Sequence, residues 1–325
     1  AGREVAGQVS WASEGDGKLV ARLSKFVLPP LATEIQASKP GGPAEQRLPS
    51  VDVVADSFTY EGKELGRLTV LAQPETSGWR LQSLEIVNPE SKFAMSGRWT
   101  IGQTSRTDAK VKLDVSDVGK FLTRLGSPDS MSGGTAALEG PINWSGSPGQ
   151  FHIPSLSGQL TLEVKNGRFQ QIDTGGGKLL AILSLQELPR RVTLDFRDVF
   201  SSGFSFDRIS ANLNIASGVA DTQNFKMEGS AARVAISGQV DLARETQNLA
   251  VRVTPSLSSS IAIAGAIVNP VIGIATYIAQ KVLKDPFSQM ASFEYSITGT
   301  WADPSVARVV KAPSNVKDNV NQKGR

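Results

Sequence analysis

The sequence contains no cysteine and only one histidine, His152. Without cysteine the chain has no disulfide, no thiolate nucleophile and no thiolate metal site. With a single histidine, which we place on a loop beside Phe151, it can build neither a histidine–cysteine catalytic pair nor a multi-histidine metal site. We therefore predict no catalytic residue, no metal and no cofactor, and we predict that the protein is not an enzyme.

Charged residues make up only 20% of the chain and aromatic residues only 6%. The 34 basic and 31 acidic side chains leave a formal net charge of +3, and no dense run of lysine and arginine with interleaved aromatics occurs. This distribution argues against nucleic acid as a partner. The 31 glycines and 17 prolines supply frequent turns, so the composition is that of a folded β protein rather than of a disordered chain.

What the sequence does have is a recurring nine-residue pattern: apolar, polar, apolar, polar, glycine, any residue, apolar, polar, apolar. Strand side chains alternate between two faces, so each copy places its apolar residues and its glycine on one face and its polar residues on the other. Each copy therefore predicts a β-strand with one apolar face. The clearest copies lie at 93–101, 234–242 and 293–301, the last with its glycine two residues later, and looser ones lie at 5–11, 138–144 and 156–164.

Glycine inside a strand removes a packing side chain and loosens the backbone, so its recurrence at one phase requires a reason. We interpret Gly97, Gly158, Gly238 and Gly299 as positions that allow the sheet to curve. The predicted fold is mainly β: one long curved antiparallel sheet that forms an open apolar groove, with a few short helices. The pattern alone also fits an ordinary β-sandwich whose strands carry glycine.

Turn-forming residues and apolar periodicity divide the chain into segments. Ser116 and Asp117 can cap a first short helix, and Pro189 would end a second one. The predicted segments are a β-groove over 1–255 with helical insertions near 117–125 and 177–188, an apolar helical pair over 256–291, a final strand of the sheet over 292–310, and a disordered tail over 311–325.

No charged residue occurs from Val253 to Gln280, a run of 28 residues. Its length would permit a membrane span, but Asn269 and Pro270 interrupt it, because proline removes a backbone donor and disfavours helix in the preceding residue. We predict two short apolar helices that either insert into a bilayer surface or close one end of the sheet. The predicted membrane-contacting residues are Ile261, Ile263, Ile267, Val268, Val271, Ile272, Ile274, Tyr277 and Ile278.

Several stretches carry a family resemblance. They are LPRRVTLDFRDVF at 188–200, GFSFDRI at 203–209, VTPSLSSS at 253–260, and the shorter motifs LGRL at 65–68, GWRL at 78–81 and SGRW at 96–99. They closely resemble the C-terminal part of the YhdP-type AsmA-like proteins of Gram-negative envelopes, which are bridge-like lipid transfer proteins. The agreement extends over most of residues 48–303.

The resemblance implies a long bent β-sheet whose apolar groove bridges the inner and outer membranes. Phospholipid acyl chains move through it while head groups stay in water, and no catalytic motif is involved. The implied partners are phospholipids and the inner leaflet of the outer membrane, with envelope proteins as further candidates. Since the family's N-terminal inner-membrane anchor is missing here, we expect a piece of a longer periplasmic protein whose C-terminal end lies near the outer membrane.

Physical chemistry is consistent with a lipid conduit. A two-chain lipid drawn from a bilayer exposes about 30 methylenes at about 0.8 kcal/mol each, roughly 25 kcal/mol, so its passage through water requires a nearly continuous apolar lining. The alternative is a structural or regulatory envelope scaffold that binds other proteins and packs its apolar faces into a closed core. The predicted lining residues are Val9, Trp11, Met95, Trp99, Leu160, Leu162, Val164, Val234, Ile236, Val240 and Ile297.

Overall fold

The computed structural model describes residues 4–28, 48–102, 105–170, 203–256 and 292–309. In these residues the chain is almost entirely β-strand, with one α-helix, α1, over Val118–Arg124 and a 3₁₀ turn over Ile153–Ser155. The strands are β1 Val5–Ala12, β2 Lys18–Leu28, β3 Ser50–Tyr60, β4 Lys63–Glu75, β5 Gly78–Asn88, β6 Ser91–Thr100, β7 Arg106–Val115, β8 Met131–Ser145, β9 Ser157–Phe169, β10 Phe204–Ala216, β11 Val219–Glu228, β12 Ala232–Asp241, β13 Thr246–Pro255, β14 Phe293–Thr300 and β15 Pro304–Val309.

All 15 strands belong to one sheet, in which every strand pairs with the next one along the chain. β1 and β15 form its two open edges, and the sheet is long and curved. The predicted fold class is therefore confirmed, and the two-sheet sandwich that the glycine pattern also allowed is wrong. Short connections favour this order, because consecutive antiparallel strands can be joined by tight turns.

Two details of the strand arrangement differ from the prediction. β2 and β3 pair in parallel, with Leu19 opposite Val51, whereas the prediction was an antiparallel sheet. The last stretch, 292–310, was predicted as one strand, but it contains the antiparallel pair β14 and β15. A turn ends β14 there: the backbone N–H of Asp303 donates to Oγ1 of Thr300 at 3.0 Å.

Direct cross-strand partners share a face, so the register assigns each paired residue to one side of the sheet. The inner face is the one that carries Leu84, Met95 and Val111, which are partners in β5, β6 and β7. Most buried side chains lie on it. The largest apolar cluster extends from β7 to β14, and Val251 and Val253 in β13 are each 2% exposed.

The alternation of the two faces shifts by one residue across β9 and β10. Val164 and Gly167 are both buried although they are three residues apart, and so are Phe206 and Ile209. Asn166, between the first pair, has a φ of 54°. This local irregularity keeps the aromatic residues beyond it in the same apolar cluster as Val164.

Helix α1 connects β7 to β8 and packs against β8. Its N-cap is Asp117, whose side chain accepts a hydrogen bond from the backbone N–H of Lys120 at 3.0 Å. At its other end, Arg124 forms an ion pair with Glu90, in the turn between β5 and β6. The helix therefore lies at one rim of the sheet, where these strands end.

Some predicted elements lie outside the described residues. They are the second helix over 177–188, the apolar helical pair over 256–291 with its predicted membrane-contacting residues, and the tail over 311–325. None of the helices in the described residues has the length and hydropathy needed to cross a membrane.

Candidate functional site

The inner face is almost free of charge. At the paired positions of the described strands, it carries no acidic side chain, and its only basic residues are Lys63 at the tip of the β3–β4 hairpin and Arg308 in β15. The remaining positions are apolar, with a few glycines and uncharged polar residues. The inner face therefore presents an apolar surface that runs across the whole described sheet.

The opposite, outer face is polar and carries cross-strand ion pairs. Examples are Arg98 with Glu75 at 2.6 Å and Arg252 with Glu294 at 2.8 Å. Solvent-exposed pairs of this kind contribute little to stability. Their effect is to keep this face hydrated, so the sheet has one wet side and one apolar side.

The register places all eleven predicted lining residues on the inner face. Their exposure depends on their place in the sheet. Val9 and Trp11, in the edge strand β1, are 60% and 58% exposed, whereas Val234 in β12 is 3% exposed. Contact between these side chains and a lipid stays a prediction.

Of the four glycines singled out by the repeat, Gly97, Gly158 and Gly238 lie where neighbouring strands come very close, and Gly299 lies beside the turn between β14 and β15. A Cβ atom added at Gly97 would lie 2.1 Å from the backbone oxygen of Asp108 in β7. At Gly238, where φ is 129°, it would lie 2.2 Å from the backbone oxygen of Asn248 in β13. Both distances are too short for any side chain. These glycines permit a strand approach that other residues would prevent, and their role in sheet curvature stays a prediction.

Sequence reasoning missed several inner-face residues. Leu249, Val251 and Val253 recur with period two in β13, but this strand lacks the glycine of the repeat from which the lining residues were predicted. Phe206 was missed because the alternation shifts beside it. Its ring centroid lies 5.2 Å from that of Phe169, in the largest apolar cluster. Period-two alternation without glycine is the signal that could have identified the residues of β13.

A few polar atoms are buried on this side of the sheet near its last strands. Within the described residues, three buried side-chain atoms have no hydrogen-bond partner: Oε1 of Gln247, the hydroxyl of Tyr295 and Nε1 of Trp301. Burial raises the pKa of the Tyr295 phenol, and the positive charge of Arg308 opposes that rise. Buried polar groups without a partner are uncommon in folded proteins, so each of these atoms requires an explanation.

Comparison with known proteins identifies relatives of this chain. A family model described as YhdP protein matches residues 1–306. The intermembrane phospholipid transporter YhdP of Escherichia coli (strain K12) is 30% identical over 230 residues, which cover 70% of this chain and 18% of that protein. No solved structure shows a significant match. The matched region is thus less than a fifth of that curated relative. Because the family model covers nearly the whole length of this chain, the chain belongs to the YhdP protein family.

Proposed function

We propose that this chain is a segment of a conduit that carries phospholipids between the inner and outer membranes of a Gram-negative envelope. Acyl chains slide along the apolar inner face, and head groups remain in water at the opening of the groove. The observation that carries the proposal is an inner face without acidic side chains across 15 paired strands. The name of the Escherichia coli relative, an intermembrane phospholipid transporter, supports the same substrate class.

The size of the inner face is suited to this task. At about 4.8 Å between neighbouring strands, the described sheet extends roughly 70 Å in the direction of its hydrogen bonds. A lipid moving along it keeps its methylenes in apolar contact, which offsets the roughly 25 kcal/mol of exposing two acyl chains to water. Because the sheet has open edges, the same surface also leaves room for a polar head group to remain hydrated.

The corresponding location is the periplasm. In the full-length protein we place an anchor in the inner membrane before this chain, and the C-terminal end of this chain near the outer membrane. The resemblance to the YhdP family and the name of the Escherichia coli relative support this placement.

Photo-crosslinking tests the groove directly. A photoreactive residue at Leu162 or Ile236, on the inner face, is expected to capture phospholipid in cells, because these positions touch the passing acyl chains. The same residue at the neighbouring outer-face positions Thr161 and Ala235 is the matched control and is expected to capture none. Mass spectrometry of the crosslinked chain identifies the adducts.

The outcome that contradicts the proposal is equally specific. Purified chain without phospholipid in native mass spectrometry, together with no lipid adduct at Leu162 and Ile236, would exclude a lipid conduit. Equal capture on both faces would indicate non-specific contact with membranes rather than a groove.

We further propose that the uncharged run after β13 contacts the inner leaflet of the outer membrane. Replacing Ile263 and Ile274 with aspartate is expected to abolish binding of the chain to anionic liposomes, since each carboxylate opposes insertion into the apolar layer. Co-sedimentation measures binding, and circular dichroism measures the sheet content. The control carries the same added charge on the outer face of the sheet, at Thr161 and Ala235. Loss of the sheet signal in the first variant alone would instead identify the run as a buried cap.

A further inference from the structure

The last two strands combine a cation and a buried hydroxyl on the inner face. Arg308 in β15 is directly opposite Tyr295 in β14, so both side chains lie on the same side of the sheet. Arg308 is exposed, has no acidic partner among the described residues, and places its guanidinium 5.1 Å from the ring centroid of Phe293. It is thus an available positive charge at the edge of an otherwise apolar surface.

Tyr295 is 2% exposed, and its hydroxyl has no hydrogen-bond partner among the described residues. Leaving a buried hydroxyl unpaired is unfavourable, and phenylalanine would fill nearly the same volume without that penalty. The hydroxyl is therefore best explained by a ligand atom that it binds. Because Tyr295 and Arg308 are direct cross-strand partners, their side chains are neighbours on the inner face.

The chemistry of the pair indicates an anion with acceptor oxygens. A guanidinium presents planar donors that match the oxygens of a phosphate, and the phenol adds a further donor. Next to them along the strands lie Ile297 and Val306, which are apolar and also partners on the inner face. A ligand that binds both the two donors and the neighbouring apolar side chains has a phosphate joined to hydrocarbon chains.

We propose that Arg308 and the Tyr295 hydroxyl bind the phosphodiester of a phospholipid head group at the β15 edge of the groove. This inference rests on the proposed function and deepens it, because it assigns the head group a fixed position where the sheet meets water. The acyl chains then enter the groove from this edge.

Short-chain lipids test the site in the complete 325-residue chain. The probes are dioctanoyl phosphatidylglycerol and dioctanoylglycerol, which share their acyl chains and differ in the phosphodiester head group. Arg308→Gln and Tyr295→Phe are each expected to weaken phosphatidylglycerol binding about tenfold, the effect of losing a hydrogen bond to a charged group, and to leave dioctanoylglycerol binding unchanged. Arg233→Gln, which removes the same charge from the outer face, is the matched control and changes neither affinity.

Stability separates a ligand site from a structural role. Tyr295→Phe is expected to keep or raise the melting temperature of the lipid-free chain, because it removes an unpaired buried hydroxyl. A lowered melting temperature with unchanged phosphatidylglycerol binding would overturn the proposal and make the hydroxyl structural.

Further outcomes define the ligand. If inorganic phosphate alone binds the wild-type chain as tightly as phosphatidylglycerol, the site takes free phosphate and the lipid assignment is wrong. Equal affinity for the two lipids in the wild-type chain and in Arg308→Gln overturns the head-group site but leaves the groove intact. Binding of neither lipid overturns the proposed function as well.

Discussion

Leu162→Asp is expected to abolish phospholipid capture by a chain that still folds. Leu162 lies on the inner face of β9, the ninth of 15 strands, with Leu138 and Ala211 as its partners on both sides. Acyl chains that cover this position would strip water from the new carboxylate, and burying an unpaired charge costs several kcal/mol. The expected loss of lipid affinity is therefore at least about a hundredfold.

Thr161→Asp is the matched control, since it adds the same charge one residue away on the hydrated outer face. Phosphorus analysis of lipid extracted from the purified chains measures capture, and thermal unfolding measures stability. We expect Leu162→Asp to remain folded with a loss of about 1–3 kcal/mol, because the carboxylate is hydrated in the empty groove. Complete unfolding of Leu162→Asp, with Thr161→Asp intact, would favour the closed core of an envelope scaffold over a groove.

The individual strands of this sheet were predictable because their information is local. The repeat predicted a strand over 93–101 where β6 is Ser91–Thr100, and one over 234–242 where β12 is Ala232–Asp241. Alternation of apolar and polar residues is visible in any short window, and it also fixes which residues share a face. Because one side of this sheet is hydrated and the other is apolar, the alternation of polar and apolar residues is clear in the sequence.

The direction in which strands pair and the shift of the alternation in β9 and β10 were not predictable, because neither is recorded in a short stretch of sequence. The parallel pairing of β2 with β3 is not visible in either strand, because side chains alternate between the two faces with the same period in parallel and antiparallel strands. The shift of the alternation near Asn166 and Asp207 depends on a non-glycine residue with positive φ, which has no distinctive composition. The sequence therefore gave no indication that Phe206 lies on the inner face.

The candidate head-group site could not be predicted from the sequence either. Arg308 lies beyond the last copy of the repeat, and a single arginine among the mostly apolar residues of β15 gave no reason to place it on the inner face. The unpaired state of the Tyr295 hydroxyl is a property of its surroundings and not of its residue type. Only the register between β14 and β15 brings the two residues together.

Arg124→Met is expected to lower the free energy of unfolding by about 3 kcal/mol, because it leaves the Glu90 carboxylate buried without its partner. Glu90 is 6% exposed, and the Arg124 side chain, 26% exposed, donates to both of its carboxylate oxygens. Arg124 also donates to the backbone oxygen of Glu64 at 2.9 Å, so it joins α1 to β4 and to the turn between β5 and β6. Chemical denaturation measures the loss. Lys120→Met, which removes an exposed cation of the same helix, is the control and is expected to change stability little.

The pH dependence of this loss identifies the ion pair as its cause. The hydrogen bond from Arg124 holds the pKa of Glu90 below its ordinary value of 4.5. A carboxyl whose pKa is lower in the folded state contributes its full stabilisation above the unfolded pKa and loses it as the pH falls through the folded pKa. The difference between wild type and Arg124→Met should therefore be largest near neutral pH and shrink below about pH 4.5. Replacing both partners, Glu90→Gln with Arg124→Met, is expected to restore part of the loss, since no charge then remains buried. A difference that stays constant from neutral to acidic pH would instead assign the loss to packing of the arginine side chain at the rim of the sheet.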